Sequence, residues 1–354
     1  MTQSNPASRD AVEALLARAR ARRSLSQPTA NAEAPDEPAA QIGQSADDIP
    51  ASSYRIDQFD AYQTLKLQKA LADQAGLENP FFRVHEGIAS ATSRIDGAEV
   101  LNFATYNYLD LNGHPAVAEA AFKAIRQYGV SASASRLVSG ERPPHQALEQ
   151  ALATLYGVDD AVVFVSGHAT NVTAIATLLG PRDLIIHDRL IHNSVYEGAK
   201  LSGAQRRGVA HNDYRAVDAL LTRERGRFEK VLIVVEGVYS MDGDIAPLDE
   251  LVALKKKHKA LLMVDEAHAL GVLGRAGRGS QEHFGLAPGD VDIWMGTLSK
   301  TLCGCGGFIA GCFELIELMK LTAPGFVFSV GMPPALAAAS TKALELMLEE
   351  PERA

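Results

Sequence analysis

Polar side chains directly follow five apolar runs of this sequence, and their types are those of nucleophilic and acid–base chemistry. The run LLMV at 261–264 is followed by Asp265 and His268, and the run DIWM at 292–295 by Lys300. Further candidates after such runs are Ser166, Gly167, His168, Asn171, His187, His192, Glu236, Ser240, Asp242, Thr297 and Ser299. Each alone has a plain explanation, such as a helix cap or a turn. Their conjunction indicates one shared site.

The elements that must carry these residues follow from hydrophobic periodicity. Strand candidates are the apolar runs at 161–165, 184–186, 231–235, 261–264, 292–295 and 308–310. Helical spacing between several of them marks 116–128, 144–156, 169–179, 213–225 and 248–258. Near-continuous apolar strands separated by helices predict an α/β fold, with a mostly parallel sheet covered by helices on both faces. Because such sheets bind ligands beyond the carboxyl ends of their strands, the polar residues should meet at one edge.

A lysine after Thr-x-Ser, with an aspartate at an earlier strand end, is what pyridoxal 5′-phosphate (PLP) requires. The aldehyde of PLP needs a lysine for a Schiff base. Its pyridine nitrogen needs an acid that keeps it protonated, so that the ring acts as an electron sink. Its phosphate accepts hydrogen bonds from hydroxyls and from the free N–H groups of a helix N-terminus, which 166–168 can supply. The residues that meet these needs are Asp265, Lys300, Thr297, Ser299, Ser240, His268 and His192.

The letters Asp-Glu-Ala-His at 265–268 also spell the metal-binding box of some nucleotide-driven helicases. That machinery requires a G-x-x-x-x-G-K-[ST] phosphate loop, and this chain contains no Gly-Lys pair. The helicase interpretation therefore fails. Glu236 and Glu266 receive no catalytic role, because either could cap or pair locally.

Bulk properties limit the partners and the compartment. The formal net charge is −9 without a concentrated basic stripe, so no nucleic-acid partner is expected. No apolar run approaches the roughly 18 residues of a membrane span, and no signal-peptide core precedes the domain. No Cys/His pair near Cys303, Cys305 and Cys312 completes a metal site, so no metal is expected. A reducing, cytoplasmic location fits.

The first 53 residues differ from the rest. No aromatic residue occurs before Tyr54, and Ala, Ser, Pro, Gln and acidic residues dominate, which predicts a disordered leader at 1–53. The segment AVEALLARARARR at 11–23 has helical spacing. It is either a nascent helix within a disordered tail or an amphipathic docking helix.

From 101 to 334 the sequence resembles the α-oxoamine synthases, a family of PLP-dependent enzymes. The motifs that carry this resemblance are NFATYNYLDLNGHPAV, SASASRLVSGERPPHQALE, SGHATN, HDRLIHNSVYEG, VVEGVYSMDGDIAPL, MVDEAHALGVLGRAGRG, GTLSKTLCGCGGFIAG and FVFSVGMPP. The resemblance implies the PLP-dependent transferase fold type I. The implied organisation is a leader at 1–53, an N-terminal arm at 54–100, a large PLP-binding domain at 101–330 and, at 331–354, the start of a helix that leads to a missing small C-terminal domain.

The resemblance also implies roles for individual residues. Lys300 would form the Schiff base and later move the Cα proton of the substrate. Asp265 would pair with the pyridine nitrogen, and His192 would stack on the ring. His268 and Ser240 would bind the ring oxygen, and Gly167, His168, Thr297 and Ser299 the phosphate. Asn171 would lie near the cofactor and Asn107 near the substrate.

The implied reaction joins an amino acid to an acyl thioester, with decarboxylation to an α-aminoketone, in a homodimer when the protein is complete. The acyl donor is CoA or a carrier protein. The segments at 79–87 and 139–149 resemble synthases that work beside polyketide and fatty-acid assembly lines, which makes a carrier protein one candidate donor; the alternative is that these segments are ordinary variation around the substrate entrance. Two alternatives stay open: an aminotransferase of the same fold, and a non-catalytic partner subunit of a synthase. Partner subunits typically lack the lysine that is present here as Lys300.

Several positions depart from the family pattern. His168 stands where Phe or Tyr is usual, Asp110 replaces the Gly of N-Y-L-G, and Val330 replaces one of two hydroxyl residues beside Ser329. Only 54 residues follow Lys300. The family continues into a small C-terminal domain with an arginine that grips the amino-acid carboxylate, so we expect this chain to be truncated.

Overall fold

The computed structural model describes residues 46–354, so the predicted helix at 11–23 lies outside the described residues. The chain divides into two compact units, one ending at Phe82 and the other spanning Arg83–Ala354. In the first unit, short exposed 3-10 turns, including Ala46–Asp48 and Ala51–Ser53 within the predicted leader, precede helix α1 (Asp60–Gln74). Helix α1 buries no side chain.

The second unit alternates strands and helices, as predicted. Its strands are β1 (Thr92–Ile95), β2 (Ala98–Leu101), β3 (Asp160–Phe164), β4 (Leu184–Asp188), β5 (Gln205–Val209), β6 (Val231–Glu236), β7 (Leu261–Asp265), β8 (Ile293–Thr297) and β9 (Gly307–Gly311). Its helices are α2 (Pro115–Tyr128), α3 (Pro143–Tyr156), α4 (Gly167–Leu178), α5 (Asn193–Ser202), α6 (Tyr214–Glu224), α7 (Leu248–His258), α8 (Ser280–Phe284), α9 (Phe313–Thr322), α10 (Pro324–Val327) and α11 (Pro334–Glu349). Among the described residues, no helix is both long and apolar enough to cross a bilayer.

Seven strands form the main sheet in the order β3-β9-β8-β7-β6-β4-β5. The β4, β5, β6, β7 and β8 pairings are parallel, whereas β9 runs antiparallel to both of its neighbours. The prediction of a mostly parallel sheet is therefore confirmed. Strands β1 and β2 form a separate antiparallel pair.

The central strands read as apolar runs because both faces of the sheet are covered. Successive side chains of a strand point to opposite faces, and in β6 Ile233 and Val235 enter one core cluster while Leu232 and Val234 enter the other. Residues of α2, α3, α6, α7 and α11 complete the first cluster, and residues of α4, α5, α9 and α10 the second. Burial of each such side chain is worth roughly 1.5–3 kcal/mol relative to exposure.

The carboxyl ends of β4, β6, β7 and β8 lie at one edge of the sheet because these strands are parallel. Helices α4 and α5 start directly after β3 and β4, so their N-termini are delivered to the same edge. Strand β9 begins there, since it is antiparallel to β8 and pairs Gly307 with Thr297. The sheet topology thus gathers the polar segments that the sequence places after each strand.

Candidate active site

A cavity of about 270 Å³ lies at this edge of the sheet. Most of the predicted site residues line it, namely Gly167, His168, Asn171, His192, Asp265, His268, Thr297, Ser299 and Lys300. They come from the ends of β7 and β8, from the starts of α4 and α5 and from the loops that follow β7 and β8. Residues far apart in the chain therefore form one polar chamber.

Asp265 is the last residue of β7 and is 4% exposed. Its Oδ2 accepts a hydrogen bond of 2.8 Å from Asn171 Nδ2, and its Oδ1 accepts one of 3.0 Å from the backbone N–H of Ala267. A buried carboxylate without a cation in direct contact needs such donors. The side chain is thereby fixed within the lining of the cavity.

Lys300 belongs to the segment between β8 and β9. Its Nζ lies 3.0 Å from His268 Nε2 and 5.4 Å from the ring centroid of Tyr106. Burial lowers the pKa of the Lys300 amine, while the carboxyls of Asp265 and Glu236 oppose this shift. Partial burial thus brings the lysine nearer to the neutral form that a nucleophilic amine requires.

His268 connects Lys300 to a tyrosine. Its Nδ1 lies 2.9 Å from the Tyr108 hydroxyl, and its Nε2 faces the Lys300 amine. Burial lowers the pKa of His268 to about 4, and the neighbouring Lys300 and His192 act in the same direction. The imidazole is therefore neutral at physiological pH.

His192 caps helix α5. Its Nδ1 accepts a hydrogen bond of 3.3 Å from the backbone N–H of Ser194 and lies 2.7 Å from Ser194 Oγ. Burial lowers the pKa of His192. The ring of His168 meets it edge to face at a centroid distance of 6.2 Å.

The N-terminus of α4 approaches Thr297 closely, and Gly167 makes this approach feasible. A Cβ at Gly167 would stand 2.9 Å from Thr297 Oγ1. Thr297 Oγ1 donates to Gly306 O at 2.9 Å and accepts from Ser299 N at 3.2 Å. The first turn of α4, whose leading N–H groups have no carbonyl partner within the helix, therefore lies beside two hydroxyl side chains.

Two of the predicted residues lie outside the lining of this cavity. Ser240 is exposed and lines an adjoining cavity of about 390 Å³, to which Tyr108 and His268 also contribute. Asn107 serves its own loop: its Nδ2 donates to Ala89 O at 2.8 Å and to Asp110 Oδ1 at 3.1 Å. Asp110 has a φ of 53°, a left-handed conformation that glycine adopts without strain.

Among the polar lining residues, Tyr106, Ser194 and Cys305 did not emerge from the sequence as candidates for this site, and Glu236 emerged but received no catalytic role. Glu236 carried a signal, because it ends a buried strand as Asp265 does. Burial raises the pKa of Glu236 to about 8, and the charge of Asp265 adds to the shift. Tyr106 and Ser194 carried no local signal, since a loop tyrosine and a helix serine are common.

The donor set of the cavity fits PLP. It holds a buried carboxylate for a pyridine nitrogen, one primary amine, and the N-terminus of an α-helix flanked by hydroxyls for a phosphate. Among the residues that the structure describes, no group of His, Cys, Asp and Glu side chains is arranged to hold a metal ion. The chemistry of the lining is that of an organic, anionic cofactor.

Comparison with known proteins agrees with this geometry. Residues 98–354 match the family model of aminotransferase class I and II. The 8-amino-7-oxononanoate synthase of Geobacter sulfurreducens is 47% identical over 257 residues, which is 73% of this chain and 65% of that enzyme. The chain belongs to the α-oxoamine synthases. This family is PLP-dependent and lies within aminotransferase class I and II.

Further α-oxoamine synthases extend the comparison. The 8-amino-7-oxononanoate synthase of Methylococcus capsulatus is 44% identical and aligns with 73% of this chain and 66% of its own length. The solved serine palmitoyltransferase of Sphingomonas wittichii superimposes with a TM-score of 0.78 at 34% identity, covering 82% of this chain and 73% of that chain. A serine palmitoyltransferase from S. paucimobilis with a bound PLP–myriocin aldimine superimposes with the same TM-score of 0.78 at 34% identity. The match covers 82% of this chain and 75% of that enzyme. The fold is the PLP-dependent transferase fold, and the chain spans about two thirds of the length of the curated relatives that it matches.

Proposed function

We propose that this chain binds PLP through Lys300 and condenses an amino acid with an acyl thioester. The products are the free thiol, CO₂ and an α-aminoketone. The observation that carries the proposal is the Lys300 amine in one cavity with the buried Asp265 carboxylate and the imidazoles of His192 and His268. The relatives named 8-amino-7-oxononanoate synthase support the synthase over an aminotransferase of the same fold.

Bound PLP supplies an electron sink that stabilises negative charge at the Cα of an amino acid. Asp265 would keep a proton on the pyridine nitrogen, which the sink requires. Lys300 would hold the cofactor and then take and return the Cα proton, a role that its lowered pKa favours because a neutral amine can accept a proton. His268, neutral and hydrogen-bonded to Tyr108, would donate to the ring oxygen.

His192 and the helix N-terminus would orient the cofactor. A neutral imidazole offers a flat face for the pyridine ring without adding positive charge. Gly167, His168 and the hydroxyls of Thr297 and Ser299 would bind the phosphate, because the first turn of α4 presents N–H groups to an anion. Ser240 would act from the adjoining cavity, and Asn107 would shape the substrate entrance through its loop.

The second copy in a homodimer would cover an apolar surface formed by two neighbouring segments. Leu137, Val138, Phe328 and Val330 are 49%, 81%, 85% and 48% exposed. Their two segments are joined by the hydrogen bonds Ser135 Oγ to Val327 O at 2.7 Å and Gly331 N to Ala134 O at 2.9 Å. An exposed apolar surface of this kind marks an interaction site. Analytical ultracentrifugation of the wild type and of Val138→Asp with Phe328→Asp tests this part of the proposal.

Chemical trapping tests the cofactor assignment directly. Borohydride reduction of the PLP-loaded protein, followed by peptide mapping, should find the pyridoxyl adduct on Lys300. Lys300→Ala should lose the adduct, whereas Lys342→Ala, which changes a surface residue on α11, should keep it. An adduct on another lysine in folded, PLP-loaded protein would overturn the assignment.

Product analysis tests the reaction. A panel of amino acids and acyl thioesters, read by mass spectrometry, should yield an α-aminoketone and CO₂. Stoichiometric conversion of the cofactor to pyridoxamine phosphate would instead indicate an aminotransferase, and the absence of either product from PLP-loaded protein would indicate a non-catalytic subunit. Comparison of kcat/KM for one acyl chain on CoA and on a carrier protein decides which donor is used.

A further inference from the structure

Asp265 and His192 line the same cavity and are joined by two buried side chains. Asn171 Nδ2 donates to Asp265 Oδ2 at 2.8 Å and to Ser194 Oγ at 2.9 Å. Ser194 Oγ in turn lies 2.7 Å from His192 Nδ1. Asn171 is 1% exposed and Ser194 fully buried, so water does not compete for these bonds.

Chemistry fixes the direction of every bond in this relay. The carboxylate of Asp265 only accepts hydrogen bonds, so Asn171 must turn its amide nitrogen toward it. The second amide hydrogen then goes to Ser194 Oγ. The backbone N–H of Ser194, which can only donate, points at His192 Nδ1 at 3.3 Å, so the Ser194 hydroxyl, 2.7 Å from the same nitrogen, also donates to it. His192 Nδ1 is therefore an acceptor, and the proton of the neutral ring resides on Nε2.

We propose that Asn171 and Ser194 are positioning residues that hold His192 as its neutral Nε2–H tautomer and orient its ring relative to Asp265. The proposal rests on the proposed function, in which His192 lies against PLP and Asp265 pairs with the pyridine nitrogen. Asn171 thereby links Asp265, which would keep the pyridine nitrogen protonated, to His192, which would stack on the pyridine ring.

The surroundings of His192 act in the same direction as the relay. Protonation of Nδ1 would remove the acceptor of the Ser194 backbone N–H and would force the Ser194 hydroxyl to reverse its hydrogen bond. Burial lowers the pKa of His192, the charge of Asp265 opposes this, and the neighbouring His168 and Lys300 lower the pKa further. The carboxyl of Glu236 also lines this cavity. A cationic imidazole would repel a protonated pyridine ring, so a neutral His192 suits a stacking role.

A purely structural role would give a different signature. Asn171 and Ser194 also join α4 to α5, and loss of that bond alone would lower stability without changing the tautomer of His192. The tautomer is measured from the ring ¹⁵N shifts of histidine, because protonated and unprotonated ring nitrogens resonate far apart. The measurement uses the cofactor-free full chain, so it does not depend on PLP chemistry.

The experiment compares wild type, Ser194→Ala, Asn171→Ala and Ser202→Ala in long-range ¹H–¹⁵N spectra at about pH 8. His192→Gln identifies the His192 signals among those of the 10 histidines. Ser202 is a matched control, since it is a buried serine of the same helix whose Oγ donates to Ala199 O at 2.8 Å, away from the relay.

We expect wild type and Ser202→Ala to show an unprotonated Nδ1 and a protonated Nε2 at His192. Ser194→Ala and Asn171→Ala should shift both nitrogens toward a mixture of tautomers. In PLP-loaded Ser194→Ala, kcat should fall on the order of fivefold, the scale of one hydrogen bond. A protonated Nδ1 in the wild type would overturn the proposal even if Ser194→Ala did not fold, as would unchanged shifts in Ser194→Ala. Failure of PLP to bind Lys300 would overturn the proposed function and leave this tautomer result standing.

Discussion

Glu236 and Asp265 end neighbouring parallel strands in register, so two buried carboxyl groups share one edge of the sheet. Because burial and the charge of Asp265 raise the pKa of Glu236 to about 8, Glu236 carries a proton at neutral pH. The two residues are alike in position, yet only Asp265 accepts the hydrogen bond from Asn171. We therefore expect opposite responses to the same conservative substitution.

Asp265→Asn should retain the shape of the site and lose its function. The amide cannot keep a pyridine nitrogen protonated, so kcat should fall on the order of a hundredfold, the scale of a strong electrostatic contribution. Glu236→Gln, which resembles a neutral Glu236, should stay close to the wild-type rate at pH 7. Steady-state kinetics of both variants decide the matter, and near-normal turnover by Asp265→Asn would contradict its role.

Glu236 should also make stability depend on pH. Its pKa rises from 4.5 in the unfolded chain to about 8 in the folded protein. The folded state therefore binds the proton more tightly. The free energy of unfolding should decrease by roughly a few kcal/mol as the pH rises from 4.5 to about 8. Urea unfolding of cofactor-free protein at pH 5 and pH 8 measures this decrease. Glu236→Gln should reduce it, and an identical decrease in that variant would refute the explanation.

His211 should make the stability of the protein depend on pH. One of its two carboxylate partners, Asp244, lies in the loop that contains Ser240. Its Nδ1 lies 2.9 Å from Asp188 Oδ1 and its Nε2 2.6 Å from Asp244 Oδ2. Burial alone would lower the pKa of His211, but the bonds to the two carboxylates outweigh it and raise the pKa. The stabilisation is complete below the unfolded pKa of 6.5 and is lost as the pH rises through the higher folded pKa.

An NMR titration of His211 checks this prediction. Asp244→Asn should lower the pKa of His211, because it removes one of the two charges. Asp242→Asn, in the same loop and exposed, should leave the pKa unchanged. Equal titration curves in all three proteins would argue against the pairing.

Tyr108→Phe should weaken the site through His268. The substitution removes the hydroxyl that lies 2.9 Å from His268 Nδ1 and keeps the ring. Loss of one hydrogen bond of this kind should raise the Kd for PLP roughly fivefold. Tyr106→Phe is the control, since Tyr106 faces Lys300 with its ring. Absorbance titration with PLP measures both, and equal affinities of the two variants would show that the Tyr108 hydroxyl is dispensable.

Gly167→Ala should destabilise the cofactor-free protein, although alanine favours helices. The new Cβ would meet Thr297 Oγ1 at 2.9 Å, and that hydroxyl is tied to Gly306 O. Overpacking of this kind costs about 1–3 kcal/mol. Gly180→Ala, with open space around its Cβ, should have little effect. Calorimetry should also find that Thr297→Ala relieves the penalty, and additive losses in the double variant would speak against the clash.

The sequence predicted the elements of the sheet better than it predicted the residues of the site. Buried central strands such as β6 and β7 were evident because both of their faces need apolar side chains. The edge strand β5 was missed because it begins with the polar residues Gln205, Arg206 and Arg207 and so lacks an apolar run. These residues lie at the edge of the sheet, where they pair only with β4. The antiparallel direction of β9 was also hidden, because hydrophobic periodicity does not report strand direction.

The positions of single site residues were harder to predict, because they depend on how loops and helices pack and not on local periodicity. Motif spacing predicted Asp265, Lys300 and His192 at the edge of the sheet, since Asp265 ends a strand and the other two follow one. Ser240 follows β6 as well, but an exposed turn carries it into the adjoining cavity. Ser194 is recognised only once α4 and α5 lie side by side, which no local pattern encodes.

The hairpin between β8 and β9 has a consequence for motion at Lys300. Its backbone is pinned by the bonds Leu298 N to Gly306 O at 2.9 Å and Gly304 N to Leu298 O at 2.8 Å, and Leu298 and Leu302 on either side of Lys300 are fully buried. These contacts hold the main chain on both sides of Lys300. Any movement of the amine therefore has to come from rotation of the lysine side chain and not from displacement of the loop.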